Sequence, residues 1–93
     1  MYDRILRTIR AKVRARQYVM TLHAEEEMDS DGLGIFDVEC SVLTGTIIER
    51  QKDSKTSEWK YLVQGRTLQD EHVVVVTKLS LTGKIVFITV YRP

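Results

Sequence analysis

Apolar residues recur at helical spacing along the first half of the chain and at a spacing of two along the second. At 100° per residue, Tyr2, Ile5, Leu6, Ile9 and Val13 fall in one stripe about 100° wide, with Arg4, Arg7, Arg10 and Arg14 opposite. That pattern predicts an amphipathic helix over residues 1–16. It breaks around Gln17 to Met20, and Thr21 then reads as the N-cap of a second, short helix. Glu25, Glu26 and Glu27 lie in its early turns, where carboxylates meet the positive end of the helix dipole. Asp29-Ser30-Asp31-Gly32-Leu33-Gly34 reads as a turn. A third helix fits Ile35 to Leu43, with Phe36, Val38, Val42 and Leu43 facing inward and Gly45 just past its end, so that residues 17–45 form a helical segment.

From Thr46 onward the period is two. Thr46 to Lys52, Trp59 to Arg66, Val73 to Leu79 and Lys84 to Tyr91 are four β-rich runs separated by short polar connections, which favour antiparallel hairpins over residues 46–93. Val73-Val74-Val75-Val76 has no polar alternate, as expected of a central strand covered on both faces. Alternation along the last run puts Phe87, Thr89 and Tyr91 on one face and Val86, Ile88 and Val90 on the other, and the all-aliphatic set is expected to face the core. The predicted fold class is α+β, with two to three N-terminal helices packed on one face of a four-stranded antiparallel sheet.

Composition narrows the class without naming a function. Ninety-three residues, 43% of them apolar, suit one small domain with a single core. The net charge of +1 is an average over opposed blocks. Up to Leu22 there are six basic residues and one acid, from His23 to Arg50 one base and eight acids, and from Gln51 to Pro93 seven bases and four acids. No run is apolar enough to span a membrane, and the arginine-rich N-terminus does not look like a signal peptide, so a soluble cytoplasmic protein is expected. The lone Cys40 cannot form an internal disulfide and reads as a small core residue. No metal site or cofactor is expected. Glu27, Asp29, Asp31 and Gly32 mimic the start of a calcium loop, but its twelfth position is Val38, where a bidentate glutamate is required. No Gly-rich phosphate loop is present.

His23 is the candidate for acid–base chemistry, because imidazole titrates near neutrality unaided. Glu26 and Glu27 share its helix face, and a capping or packing histidine, or a metal ligand paired with Glu27, are the other readings of the same residue. Thr89 and Tyr91 offer hydroxyls on the last strand, Arg66 ends the second strand and Lys78 the third. If the helix carrying His23 packs across these strand ends, imidazole, cations and tyrosine converge in a set able to cleave RNA. Imidazole would move protons to and from the 2′-hydroxyl and leaving oxygen while the cations stabilise the phosphorane. Arg7, Arg10 and Arg14 are candidate phosphate contacts on the first helix. Glu39 falls in the apolar arc of the third helix and is expected to pair with an arginine of the first.

The segments Met20-Thr21-Leu22-His23-Ala24-Glu25-Glu26-Glu27-Met28, Ile35-Phe36-Asp37-Val38-Glu39, Gly45-Thr46-Ile47-Ile48-Glu49-Arg50, Tyr61-Leu62-Val63-Gln64-Gly65-Arg66 and Ile88-Thr89-Val90-Tyr91 resemble the small bacterial domain of unknown function 4258. The resemblance runs from about Tyr18 to Tyr91 and leaves the basic helix as an N-terminal extension. The family looks related to the barnase, EndoU, colicin and RelE group of toxin-like ribonucleases, which implies a metal-independent activity on RNA and a RelE-like fold. It implies His23, Arg66, Thr89 and Tyr91 as the site, with Lys78 added from strand geometry. Toxin-like members tend to follow the His-Ala pair with Arg-x-Arg-Met, whereas this chain has Glu25-Glu26-Glu27-Met28. Two functions are therefore expected in contention: a RelE-like ribonuclease, and a non-catalytic module that binds protein or nucleic acid through the basic helix. The corresponding partners are RNA, a cognate antitoxin, or a second copy joined through the N-terminal helix.

Overall fold

The structure is a computed structural model that describes residues 2–93, so Met1 of the predicted first helix lies outside the described residues. In chain order the elements are α1 (Asp3–Arg14), β1 (Tyr18–Met20), α2 (Leu22–Asp31), α3 (Ile35–Thr44), β2 (Thr46–Lys52), β3 (Trp59–Arg66), β4 (His72–Leu79) and β5 (Ile85–Tyr91). The sheet has five strands in the order β1-β5-β4-β3-β2. β2 to β5 form the expected antiparallel meander, and β1 joins its β5 edge in parallel, which corrects the four-stranded antiparallel expectation to a mixed sheet. The added strand begins where α1 ends. Arg16 takes a left-handed conformation (φ 56°), the Gln17 carbonyl accepts from the Ile85 amide at 3.0 Å, and Tyr18, Val19 and Met20 pair with Ile85, Val86 and Phe87.

A bulge decides which side of β5 faces the helices. Val76 pairs with Thr89 and Thr77 with Phe87, so Ile88 is an extra residue and the alternation slips by one. Ile85, Phe87 and Val90 are consequently buried under the helices, where the unbroken alternation had placed Val86, Ile88 and Val90. Thr89 and Tyr91 do face away from the helices. There Tyr91 and Ile88 pack on Leu62, Val74 and Val76, a small second apolar cluster that covers the outer side of β4.

The main core lies between helices and sheet. α1 contributes Ile9 and Val13, α2 Ala24 and Met28, and α3 Val38 and Val42, against Val73, Val75, Ile85, Phe87 and Val90. Each fully buried aliphatic side chain stabilises by roughly 1.5–3 kcal/mol. Phe36, expected to face inward, is instead 55% exposed and lies under the Arg16 guanidinium, 5.7 Å from its ring centre. α3 lies directly against the backbone of β3. A Cβ on Gly65 would come within 2.7 Å of the Ser41 carbonyl carbon and 2.9 Å of Gly45 Cα, with the Ser41 oxygen nearer still.

Two polar contacts bind the helices differently from expectation. Glu39 accepts a hydrogen bond from the Tyr18 hydroxyl and not from an α1 arginine. Burial, reinforced by that carboxylate, pushes the Tyr18 phenol up to about 12. Arg10 turns inward and donates to the Val42 and Gly45 carbonyls, placing a cation at the negative end of α3. Among the described residues no helix is long and apolar enough to cross a membrane.

Candidate functional site

β1 covers only the first part of the β5 edge, and from Phe87 onward the N-cap Thr21 and then α2 itself continue the work of satisfying its backbone. The Thr21 amide donates to the Phe87 carbonyl at 3.1 Å, and the Thr21 hydroxyl donates to Ile88 at 2.9 Å while accepting from the Ala24 amide as the helix N-cap. One turn further on, Glu27 Oε1 accepts from the Val90 amide at 3.0 Å. An open sheet edge is thereby closed by a helix, which is why α2 runs along β5 and not across the strand ends.

This placement builds a cleft of about 390 Å³ lined by His23, Glu26, Glu27, Ser30, Asp31, Val90 and Tyr91. His23 Nε2 lies 3.3 Å from the same Glu27 oxygen that holds Val90. The imidazole is 66% exposed and the carboxylate 24%, so a sheltered carboxylate, held by the Val90 amide, stands beside a solvent-facing ring. The contact is a charge-pair approach, and no hydrogen bond among the described residues engages either ring nitrogen. The lining holds three carboxylates and no lysine or arginine. The nearby Arg92 is occupied, with Asp31 at 3.6 Å and Glu71 at 3.3 Å.

Of the residues proposed to converge, the structure brings together His23 and Tyr91 alone. Thr89 stands on the same outer face two rungs away, opposite Val76. Arg66 belongs to β3, two strands or about 10 Å across the sheet. Its guanidinium is 3.0 Å from Asp70, and it lines a separate hollow of about 190 Å³ with Thr44, Thr46, Gln64 and His72. Lys78 pairs with Val86, four residues from the Val74–Tyr91 rung and so about 14 Å along the strand. Its ammonium lies 3.4 Å from Glu58 in a third hollow, which also contains Asp53. Backbone amides of Lys55 and Thr56 donate to the Asp53 carboxylate and hold its carboxyl below the usual range. Among the described residues no three His, Cys, Asp or Glu side chains gather as a metal-binding group.

The phosphate candidates of α1 also divide. Arg7 and Arg14 are exposed on its outer stripe together with Arg4, whereas Arg10 is engaged by α3. A further group escaped sequence reasoning: Arg50 and Lys52 on β2 pair with Tyr61 and Trp59 on β3. The cross-strand register sets cations beside aromatics on the side of the sheet where α1 docks. Alternation of cations at 50 and 52 and of aromatics at 59 and 61 was the available signal.

A family model described as "Domain of unknown function (DUF4258)" matches residues 20–92, from the last residue of β1 through β5, and leaves α1 outside the match. No curated protein and no solved structure matches the chain significantly.

Proposed function

The chain belongs to the family described as Domain of unknown function (DUF4258), and on that premise we propose that it is a nucleic-acid-binding module which holds a phosphate backbone through α1. One observation carries this reading. Arg4, Arg7 and Arg14 lie within an arc of about 80° on the exposed side of α1, and none has an acidic partner among the described residues. The sheet-side cations Arg66, Lys78 and Arg92 are by contrast each held by a carboxylate. Unpaired arginines in a row are suited to replacing the counterions of successive phosphates.

The test is the salt dependence of binding to a labelled oligonucleotide. Arg7→Ala combined with Arg14→Ala, both on exposed positions, should weaken binding and reduce the slope of log K against log salt by about 0.7–0.9 per contact removed. Unchanged affinity and slope in a folded double variant would overturn the reading.

The His23–Tyr91 cleft supports a second reading, a RelE-like, metal-independent cleavage of RNA. An imidazole 3.3 Å from Glu27, in one cleft with Tyr91, is equipped to move a proton from the 2′-hydroxyl and return one to the leaving oxygen. It ranks second because Glu26, Glu27 and Asp31 oppose a phosphodiester in the same cleft. Incubation with RNA in EDTA decides it: cleavage lost in His23→Ala supports the assignment, and equal residual cleavage in both proteins sinks it.

A further inference from the structure

Where α1 crosses the β2–β3 end of the sheet, aromatic rings and cations are interleaved. Tyr2 and Tyr61 meet edge to face with ring centres 6.2 Å apart. The Arg50 guanidinium lies 4.0 Å above the Trp59 ring and 5.7 Å from the Tyr2 ring, and Lys52 Nζ is 5.7 Å from Trp59. Beside them opens a cleft of about 340 Å³ whose lining includes Tyr2, Arg4, Thr8, Arg50, Tyr61 and Leu79, with no carboxylate. Asp3 lines only the neighbouring hollow on the other side of Tyr2. Trp59 is 40% exposed at the strand end.

We infer that this cleft, together with the exposed Trp59 that adjoins it through Arg50, is a base-stacking site for single-stranded nucleic acid. Trp59 is exposed and Tyr2 and Tyr61 are half-buried; flat rings accept any base, and arginine over a ring adds a cation that a phosphate can reach without losing the stack. The volume falls in the range of small-ligand pockets, roughly 300–1,000 Å³. Arg4 joins the cleft to the α1 row, since it lines the one and begins the other. From Arg4 to Arg14 the helix extends about 15 Å. Backbone phosphates would follow the arginines while an unpaired base enters the aromatic cleft. A duplex keeps its bases stacked on one another and has only its phosphates to offer. The inference rests on the nucleic-acid reading above and adds a preference for single strands.

Trp59 is the one tryptophan of the chain and stands outside the cleft lining, under the Arg50 that does line it, so its emission reports on the rim of the site. Wild-type protein is titrated with oligouridylate, oligothymidylate and an RNA duplex while tryptophan emission is followed. Labelled oligonucleotides then give affinities for Trp59→Ala, Trp59→Phe and Arg50→Ala by anisotropy, with circular dichroism confirming that each variant is folded. Both single strands should quench Trp59, and RNA against DNA shows whether the sugar matters. Trp59→Ala and Arg50→Ala should weaken single-strand binding by about 5- to 150-fold, the range of one lost stacking contact, with Trp59→Phe recovering much of the loss and duplex binding little changed. Single-strand affinity unchanged in folded Trp59→Ala, or equal losses on single strand and duplex, overturns the stacking site while the α1 reading stands. Failure of wild-type protein to bind any of the three overturns both.

Discussion

Gly65→Ala tests the contact that seats α3 on the sheet. The added Cβ would lie 2.7 Å from the Ser41 carbonyl carbon and 2.9 Å from Gly45 Cα, against about 3.5–4.0 Å for comfortable carbon contacts. Every atom it meets is backbone, so no rotamer change gives relief and α3 must retreat by about 1 Å. That retreat loosens Val38 and Val42, both fully buried, and stretches the hydrogen bonds from Arg10 to the end of α3. Overpacking of this kind costs about 1–3 kcal/mol, and an obstruction made wholly of backbone belongs at the upper end, near 3 kcal/mol. A chain of 93 residues has roughly 5–14 kcal/mol of stability in all. At about 4–8 °C per kcal/mol, the melting temperature should fall by roughly 12–24 °C. Urea unfolding followed by far-ultraviolet circular dichroism gives the free energy, and a thermal scan gives Tm. Gly34→Ser is the control: its Cβ meets nothing nearer than Asp37 Oδ2 at 3.8 Å, and serine at this N-cap should gain a few tenths of a kcal/mol. A Gly65→Ala midpoint within about 0.5 kcal/mol of wild type, with an unchanged urea slope, would refute the close approach of α3 to β3.

Two further outcomes follow from the polar contacts of β1 and α2. Tyr18 keeps its proton to about pH 12 in the folded chain, against 10.0 ordinarily, so the unfolded chain releases it first and stability declines as pH rises from about 10 to about 12. Below pH 10 that contribution is fully present. Tyr18→Phe should flatten part of the decline in urea midpoints measured from pH 9 upward, and an identical pH dependence in the two proteins would count against the raised, half-buried phenol. Glu27→Ala should cost about 1–3 kcal/mol by leaving the buried Val90 amide without an acceptor, whereas Glu27→Gln retains a carbonyl oxygen for it and should cost less. Equal losses in urea unfolding would show that α2 does not close the β5 edge through this side chain.

The meander was readable because each of its strands carries its own evidence. The spans observed for β2 and β3 coincide with the β-rich runs Thr46 to Lys52 and Trp59 to Arg66, where polar turns mark both ends. β1 escaped for a physical reason. Three residues are too few to show alternation, and their partners Ile85 to Phe87 lie more than sixty positions away. Phe36 also misled, because hydrophobicity alone does not tell a core position from an exposed ring shielded by Arg16. At the candidate site, His23 was legible from its chemistry, and its meeting with Tyr91 follows from α2 lying along β5. Arg66 and Lys78 were expected at the same point because strand ends look alike in sequence. Strand order and register set them on opposite ends of the outer face, each beside an acid contributed by a neighbouring loop or strand end.

The chain's local patterns alone determined the kind and order of most elements, since a helix or strand that buries one face must repeat its apolar residues at 3.6 or 2. They also determined that α1 would carry a row of arginines away from the core. The tertiary structure decided the fifth strand, the bulge at Ile88 that turns Phe87 inward, and the separation of the sheet's cations. It also decided which charges remain open to a ligand. Whether an arginine meets a carboxylate, a carbonyl or solvent depends on groups brought beside it from distant parts of the chain. For that reason Arg10, Arg66 and Arg7, alike in sequence, end respectively against the end of α3, against Asp70 and in open solvent.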